Sequence, residues 1–189
     1  MNQASALASG EWVCFMNAGD MFAGRETVAR VMSVAEDRSD LIYGDHEVDY
    51  GHTKRHVRAG QPAELWRGMF CSHQALFYRR EVLLSHPFRP QFRVVGDYEQ
   101  LSRLILTSPA VQYVPFTISS IAAGGLSDRK RLHSIAARRR IAIRYWPGIH
   151  TMLYYTLLIL DAVVRLGLRR LLPLSVVRWM ERRKSGRSR

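Results

Sequence analysis

The chain has 189 residues, 47% of them hydrophobic and 23% charged, the make-up of one core-forming domain with an appendage; wholesale disorder and two full domains are excluded. Lys and Arg number 28 against 16 Asp and Glu, a formal charge of +12, yet residues 1–127 hold 12 basic and 13 acidic side chains and residues 128–189 hold 16 and 3. That asymmetry excludes a uniformly basic nucleic-acid coat and describes a near-neutral body with a cationic end whose partner is anionic.

In chain order, Met1 to Ala8 is Ala-rich, is broken by Ser9-Gly10, and reads as the end of a helix. Glu11 to Met16 (EWVCFM) is a short apolar run suited to a buried strand, and Asn17-Ala18-Gly19-Asp20 closes it with turn chemistry. From Glu26, the spacing of Val28, Val31, Met32 and Ala35 predicts an amphipathic helix, followed by a strand over Asp40 to Gly44. His46 to Val57 alternates about Tyr50-Gly51-His52, a hairpin pattern, and Gln74 to Tyr78 reads as a further strand.

Asp97 to Leu106 (DYEQLSRLIL) predicts a helix in which Asp97 caps the first turn and Gln100 completes a capping box, with Glu99 facing solvent. Gln112 to Ile118 contains Pro115 and suits an edge or irregular strand, and Ile121 to Ser127 (IAAGGLS) is a Gly-rich loop. Strands alternating with helices imply an α/β sheet, which gathers functional groups at the carboxyl ends of its strands. Cys14 and Cys71 lie in apolar stretches without metal-ligand spacing and read as buried reduced thiols.

Beyond the loop, Ile149 to Val164 is an apolar run of 16 residues interrupted by Asp161, shorter than the ~20 residues of a helical span. Leu168 to Met180 is a second apolar segment that carries Arg169, Arg170 and Arg178. Apolar surface mixed with Arg and Trp predicts helices lying on an anionic membrane surface, with amphipathic helices packed on the chain's own sheet as the alternative. No nucleic-acid-binding motif accompanies the basic residues, so no nucleic-acid partner is expected.

Five motifs stand in fixed order: FMNAGD, LIYGD, SHQALFYRR, GDYEQLSRL and AAGGLS. Together they resemble the family 2 glycosyltransferases of the GT-A fold, particularly those that assemble bacterial polysaccharides of the colanic-acid type, from Met1 to about Arg144. The resemblance implies a nucleotide-sugar donor, a lipid-linked or growing glycan acceptor, and inversion at the anomeric carbon. It makes Asp20 the ligand of Mg²⁺ or Mn²⁺ and Asp97 the general base, and it places Asp45, His73, Gln74, Gly124, Gly125 and Ser127 against the substrates. Asn17 stands where many relatives carry a first Asp.

The implied fold is a GT-A-like (Rossmann-like) mixed sheet lacking its first βα units, followed by C-terminal amphipathic helices. One to two units, about 60 to 90 residues at about 30 each, are expected ahead of Asn2 in a complete site, so this stretch alone is expected to be inactive. Residues 1–127 then form the C-terminal part of the transferase domain, 128–181 a basic amphipathic membrane-associating region and 182–189 a disordered tail. The expected location is the cytoplasmic face of the bacterial inner membrane, peripherally bound. The alternative is a non-catalytic membrane-associated remnant that has lost donor binding.

Overall fold

Short, nearly continuous apolar runs form strands whose alternate side chains enter cores on both faces of one sheet. The computed structural model describes residues 1–92, 94–123 and 131–171. Its elements run α1 (Asn2–Leu7), β1 (Trp12–Cys14), β2 (Met21–Phe22), α2 (Thr27–Ser33), β3 (Leu41–Asp49) and β4 (Lys54–Val57). Two 3₁₀ turns, Pro62–Arg67 and His73–Ala75, lead into β5 (Leu76–Arg79), α3 (Arg80–Ser85), α4 (Gly96–Ile105), β6 (Val111–Ala122), α5 (Arg131–Tyr145) and α6 (Ile149–Leu171).

The strand order is β1-β5-β3-β6-β2, with β4 beside the far half of β3. β3 is parallel to β6 and antiparallel to β5 and β4, so the sheet is mixed and the fold is α/β. Leu41 and Tyr43 of β3, Leu76 and Tyr78 of β5 and Val13 of β1 enter one core with Tyr98, Leu101 and Leu104 of α4 and Ile141 of α5. Their neighbours Ile42 and Phe77 point the other way, to Val31 of α2. A third cluster joins Ile135 and Ala142 of α5 to Tyr155 and Ala162 of α6.

Several expectations are corrected. The EWVCFM run forms an edge strand that pairs only with β5 among the described residues, and Trp12 and Cys14 are half-buried. Val28 is exposed, because the short α2 turns only Thr27 and Val31 fully inward. The hairpin forms where the turn residues place it: Tyr50 N–H donates to Thr53 O at 2.9 Å, and Gly51 takes φ +85°.

β6 is irregular and interior. Its register against β3 jumps from Gly44 opposite Val114 to Asp45 opposite Thr117, and Pro115, with no N–H for a ladder, falls in the gap. Gly44 is required there, since a Cβ would lie 2.8 Å from Phe116 O and 2.9 Å from Val114 O and Ile118 Cδ1. Gly44→Ala should therefore lower stability by about 1 to 3 kcal/mol through overpacking. Urea unfolding reads this, with Gly24→Ala, whose Cβ would meet only ordinary contact, as the control that stays near wild type.

Candidate active site

The turn after β1 delivers Asp20. Its N–H closes the turn on Asn17 O at 3.1 Å, Gly19 supplies φ +91°, and Asn17 itself is exposed. The carboxylate joins two distant segments, the 3₁₀ turn before β5 and the end of β6: Oδ2 accepts from Gln74 Nε2 at 2.6 Å, and Oδ1 accepts from the N–H of Ala122 at 3.0 Å. Gln74 is buried in the 3₁₀ turn before β5, where its Oε1 accepts from Ser72 Oγ at 2.7 Å.

His73, the preceding residue of that turn, is buried and stacked on Phe15, with ring centroids 5.4 Å apart, while the Phe88 ring meets it edge-on. Neither ring nitrogen has a hydrogen-bond partner among the described residues. Burial pushes its pKa below the usual 6.5, and the negative charge of nearby Asp97 works against that shift. The same charge adds to burial in raising the Cys71 thiol and the Tyr78 hydroxyl. Two successive side chains of one turn thus address the two candidate carboxylates, Gln74 by a hydrogen bond to Asp20 and His73 through the field of Asp97.

Asp97 lies half-buried in the first turn of α4. The expected capping box does not form. Val95 is the N-cap, without a side-chain cap bond. Asp97 Oδ1 accepts from the adjacent Tyr98 N–H at 2.8 Å, and Gln100 is buried with its Nε2 on His86 O at 3.2 Å. The Asp97 side chain makes no other hydrogen bond among the described residues, which leaves carboxylate capacity for a ligand.

Glu99, expected to face solvent, is 1% exposed. Its Oε1 accepts from Arg89 Nη1 at 3.1 Å and from the Tyr145 hydroxyl of α5 at 2.8 Å, and lies 3.7 Å from Arg103 Nε. Tyr98 reaches the Tyr155 hydroxyl of α6 at 3.4 Å. Both residues that follow Asp97 are therefore tied to the C-terminal helices. Arg103, four residues after Glu99 on the same helix, was the sequence signal for part of this cluster.

Asp45 is 5% exposed and bonded by three groups of its own chain: Ala59 N–H at 2.9 Å, the Tyr113 hydroxyl at 2.8 Å and His56 Nε2 at 3.0 Å. It pins β4 and the segment after it onto β3 and β6. Gly124, Gly125 and Ser127 lie outside the described residues, as does Arg129; the described chain leaves β6 at Ala122, the residue bonded to Asp20.

Among the described residues no three His, Cys, Asp or Glu side chains gather as a closed cation site. Asp20 offers one carboxylate. That donor set fits a Mg²⁺-type ion, which is commonly held by one or two carboxylates and completed by substrate phosphates and water.

No family model matches the chain. The chain is 30% identical, over 169 residues, to PGL/p-HBAD biosynthesis glycosyltransferases of Mycobacterium tuberculosis and Mycobacterium bovis, a match covering 79% of this chain and 64% of each relative. It thus spans 64% of the length of the curated relatives it matches.

The Glu99 cluster sets a stability expectation. Tyr145→Phe removes a donor to a buried carboxylate and should cost about 1 to 3 kcal/mol by denaturant titration; an unchanged midpoint would mean that the bond contributes nothing. His73 sets a pH expectation. Its folded pKa is depressed, so below 6.5 the unfolded chain takes up a proton that the folded chain refuses. Stability present at pH 7 should therefore fall as the pH drops through 6.5 and level off below the folded pKa. His73→Gln should flatten that decline, and an identical slope in both proteins would contradict a neutral buried His73.

Proposed function

We propose that this chain forms the acceptor-side and catalytic part of an inverting glycosyltransferase of family 2 with a GT-A fold, moving a sugar from a nucleotide-sugar to a lipid-linked or growing glycan acceptor in bacterial surface-polysaccharide synthesis. The observation that carries the reading is the hydrogen bond from Gln74 to Asp20, by which the 3₁₀ turn before β5 holds the carboxylate that ends the β1 turn, 54 residues away in sequence. Similarity to named glycosyltransferases supports the class of chemistry.

In this reading Asp97 accepts the proton of an acceptor hydroxyl as the oxygen bonds to the anomeric carbon. The bond from that carbon to the nucleoside diphosphate breaks on the opposite face, and the departing phosphate oxygen keeps the electron pair. A carboxylate with free acceptor capacity in a half-buried helix turn suits this role, because it can accept a hydrogen bond from a hydroxyl bound beside it and then take its proton. Asp20 would hold Mg²⁺ or Mn²⁺, whose chemistry there is neutralisation of charge on the leaving diphosphate. Gln74 keeps the Asp20 carboxylate in place by spending its amide N–H on Oδ2.

With the expected preceding βα units present, Asp97→Asn should reduce transfer at least about 100-fold, since an amide cannot take the acceptor's proton, while binding of the nucleotide-sugar measured by calorimetry stays near wild type. Asp20→Ala should instead weaken binding of a nucleoside diphosphate in the presence of Mn²⁺. Near wild-type turnover of Asp97→Asn would remove that residue from the mechanism. Absence of any donor binding by the unaltered protein would favour the non-catalytic remnant.

A further inference from the structure

The helix α6 is apolar on two sides. Its inner side buries Thr151, Tyr155 and Ala162 against α5, with Leu158 and Ile159 partly buried in the same cluster. Near its start the Trp66 ring meets His150 and Tyr154 at centroid distances of 5.2 and 5.4 Å, so this end is also fastened to the body. The outer side carries Ile149, Leu153, Leu157, Leu160 and Val164, steps of four, four, three and four residues that form one helical stripe, each residue 54–70% exposed. Met152 and Val163 flank it and are exposed as well.

Single exposed apolar residues need no explanation, but a continuous stripe on a helix already anchored by its other side does. Charge identifies the occupant. From Arg165 to Arg189 the sequence holds nine Lys and Arg and one acid, Glu181. Two copies joined in parallel along this stripe would bring two such cationic segments together, and two joined antiparallel would leave both segments without an anionic partner. An anionic surface would attract both the stripe's apolar side chains and the charges that follow them.

The geometry also selects how the helix meets lipid. Ile149–Gly167 is long and apolar enough to cross a bilayer by length and composition. α5, however, lies along the inner side of α6 and carries Arg138, Arg139, Arg140 and Arg144. A spanning α6 would either carry those arginines into hydrocarbon or surrender its packing on α5, and both are unfavourable. An in-plane helix keeps α5 on the protein side.

We propose that the outer face of α6 is a membrane-docking surface that lies in the plane of an anionic bilayer, with the Ile149, Leu153, Leu157, Leu160 and Val164 stripe immersed among the acyl chains. This goes beyond the transferase reading and stands without it. Its consequence for that reading is position: Tyr155, on the inner side of the same helix, meets Tyr98 next to Asp97. The start of α4, which bears Asp97, is therefore tied to the inner side of the helix whose outer face meets lipid.

The test is flotation of the full chain with vesicles of phosphatidylcholine alone or with 30 mol% phosphatidylglycerol, a composition set by the experimenter. The triple variant Leu153→Gln, Leu157→Gln and Leu160→Gln changes only exposed positions, so its melting curve should match wild type and any loss of binding should not be unfolding. Wild type should bind the anionic vesicles at least about tenfold more tightly than the triple variant, and added salt should weaken the binding without abolishing it. A nitroxide depth measurement on a fluorophore at Leu157→Cys should place it in the shallow acyl region. Equal binding by wild type and triple variant would overturn the proposal. So would quenching deepest at the bilayer centre, which marks a span, or a dimer that the triple variant dissolves while wild type ignores vesicles, which marks a second copy.

Discussion

A carboxylate sealed from water at the start of α4 organises the molecule. A buried charge persists only when donors compensate it, and Glu99 Oε1 gathers an arginine from the segment before α4, an arginine one turn along α4 and a tyrosine from α5, while Oε2 has no partner among the described residues. Breaking such a cluster leaves an uncompensated charge, a far larger penalty than losing a surface pair. The cluster therefore specifies how α4 enters the fold and where α5 ends against it. Asp97 stands two residues before this anchor, so the orientation of its turn is set from below, by the protein side of the helix. The helix forgoes a side-chain N-cap, and among the described residues the Asp97 carboxylate in its first turn accepts only the adjacent Tyr98 N–H.

The carboxylates divide the labour by burial and by the donors around them. Asp45, nearly sealed, spends its oxygens on three groups of its own chain and closes the β4 side of the sheet. Asp20 and Asp97 are only half-buried and stand at the ends of elements where strands and helices hand over to loops. The 3₁₀ turn before β5 fixes Asp20 through Gln74. Burial lowers the pKa of the preceding His73 by disfavouring its charged form, so this turn places an uncharged ring among Phe15, Tyr78 and Phe88 at pH 7.

Local patterning made part of this legible. The β3–β4 hairpin follows from alternation around Tyr50-Gly51-His52, and β5 from its apolar run, because both signals are contained within a few residues. The break in β6 was legible at Pro115, but its position inside the sheet was not, since that depends on pairing with Leu41–Asp49 some 70 residues away. The same holds for Gly44, whose need for a missing Cβ comes from Phe116 and Ile118. The capping box failed for a tertiary reason: burial of Gln100 against His86 outweighs a local bond that the spacing alone would favour. Glu99 was misread because an acid in a first turn is ordinarily a solvated partner of the helix dipole, and the donors that bury it lie on other elements. In sequence, the apolar run of α6 ends after 16 residues because Arg165 closes the pattern; in the structure Arg165 pairs with Asp161 one turn back and the helix continues to Leu171.

The central claim is that the end of the sheet bearing Asp20, His73, Gln74 and Asp97 receives the diphosphate of a sugar nucleotide. Paramagnetic broadening by Mn²⁺ in the presence of a series of nucleoside diphosphates tests it directly, residue by residue, in an NMR spectrum of the full chain. The account predicts that amide signals of Gly19 to Met21 and His73 to Ala75 broaden together, that Gly96 and Asp97 follow, and that α6 is untouched, with the effect lost in Asp20→Ala. Broadening confined to the acidic β3–β4 hairpin around Glu47 and Asp49, or none with any of the diphosphates, would contradict it.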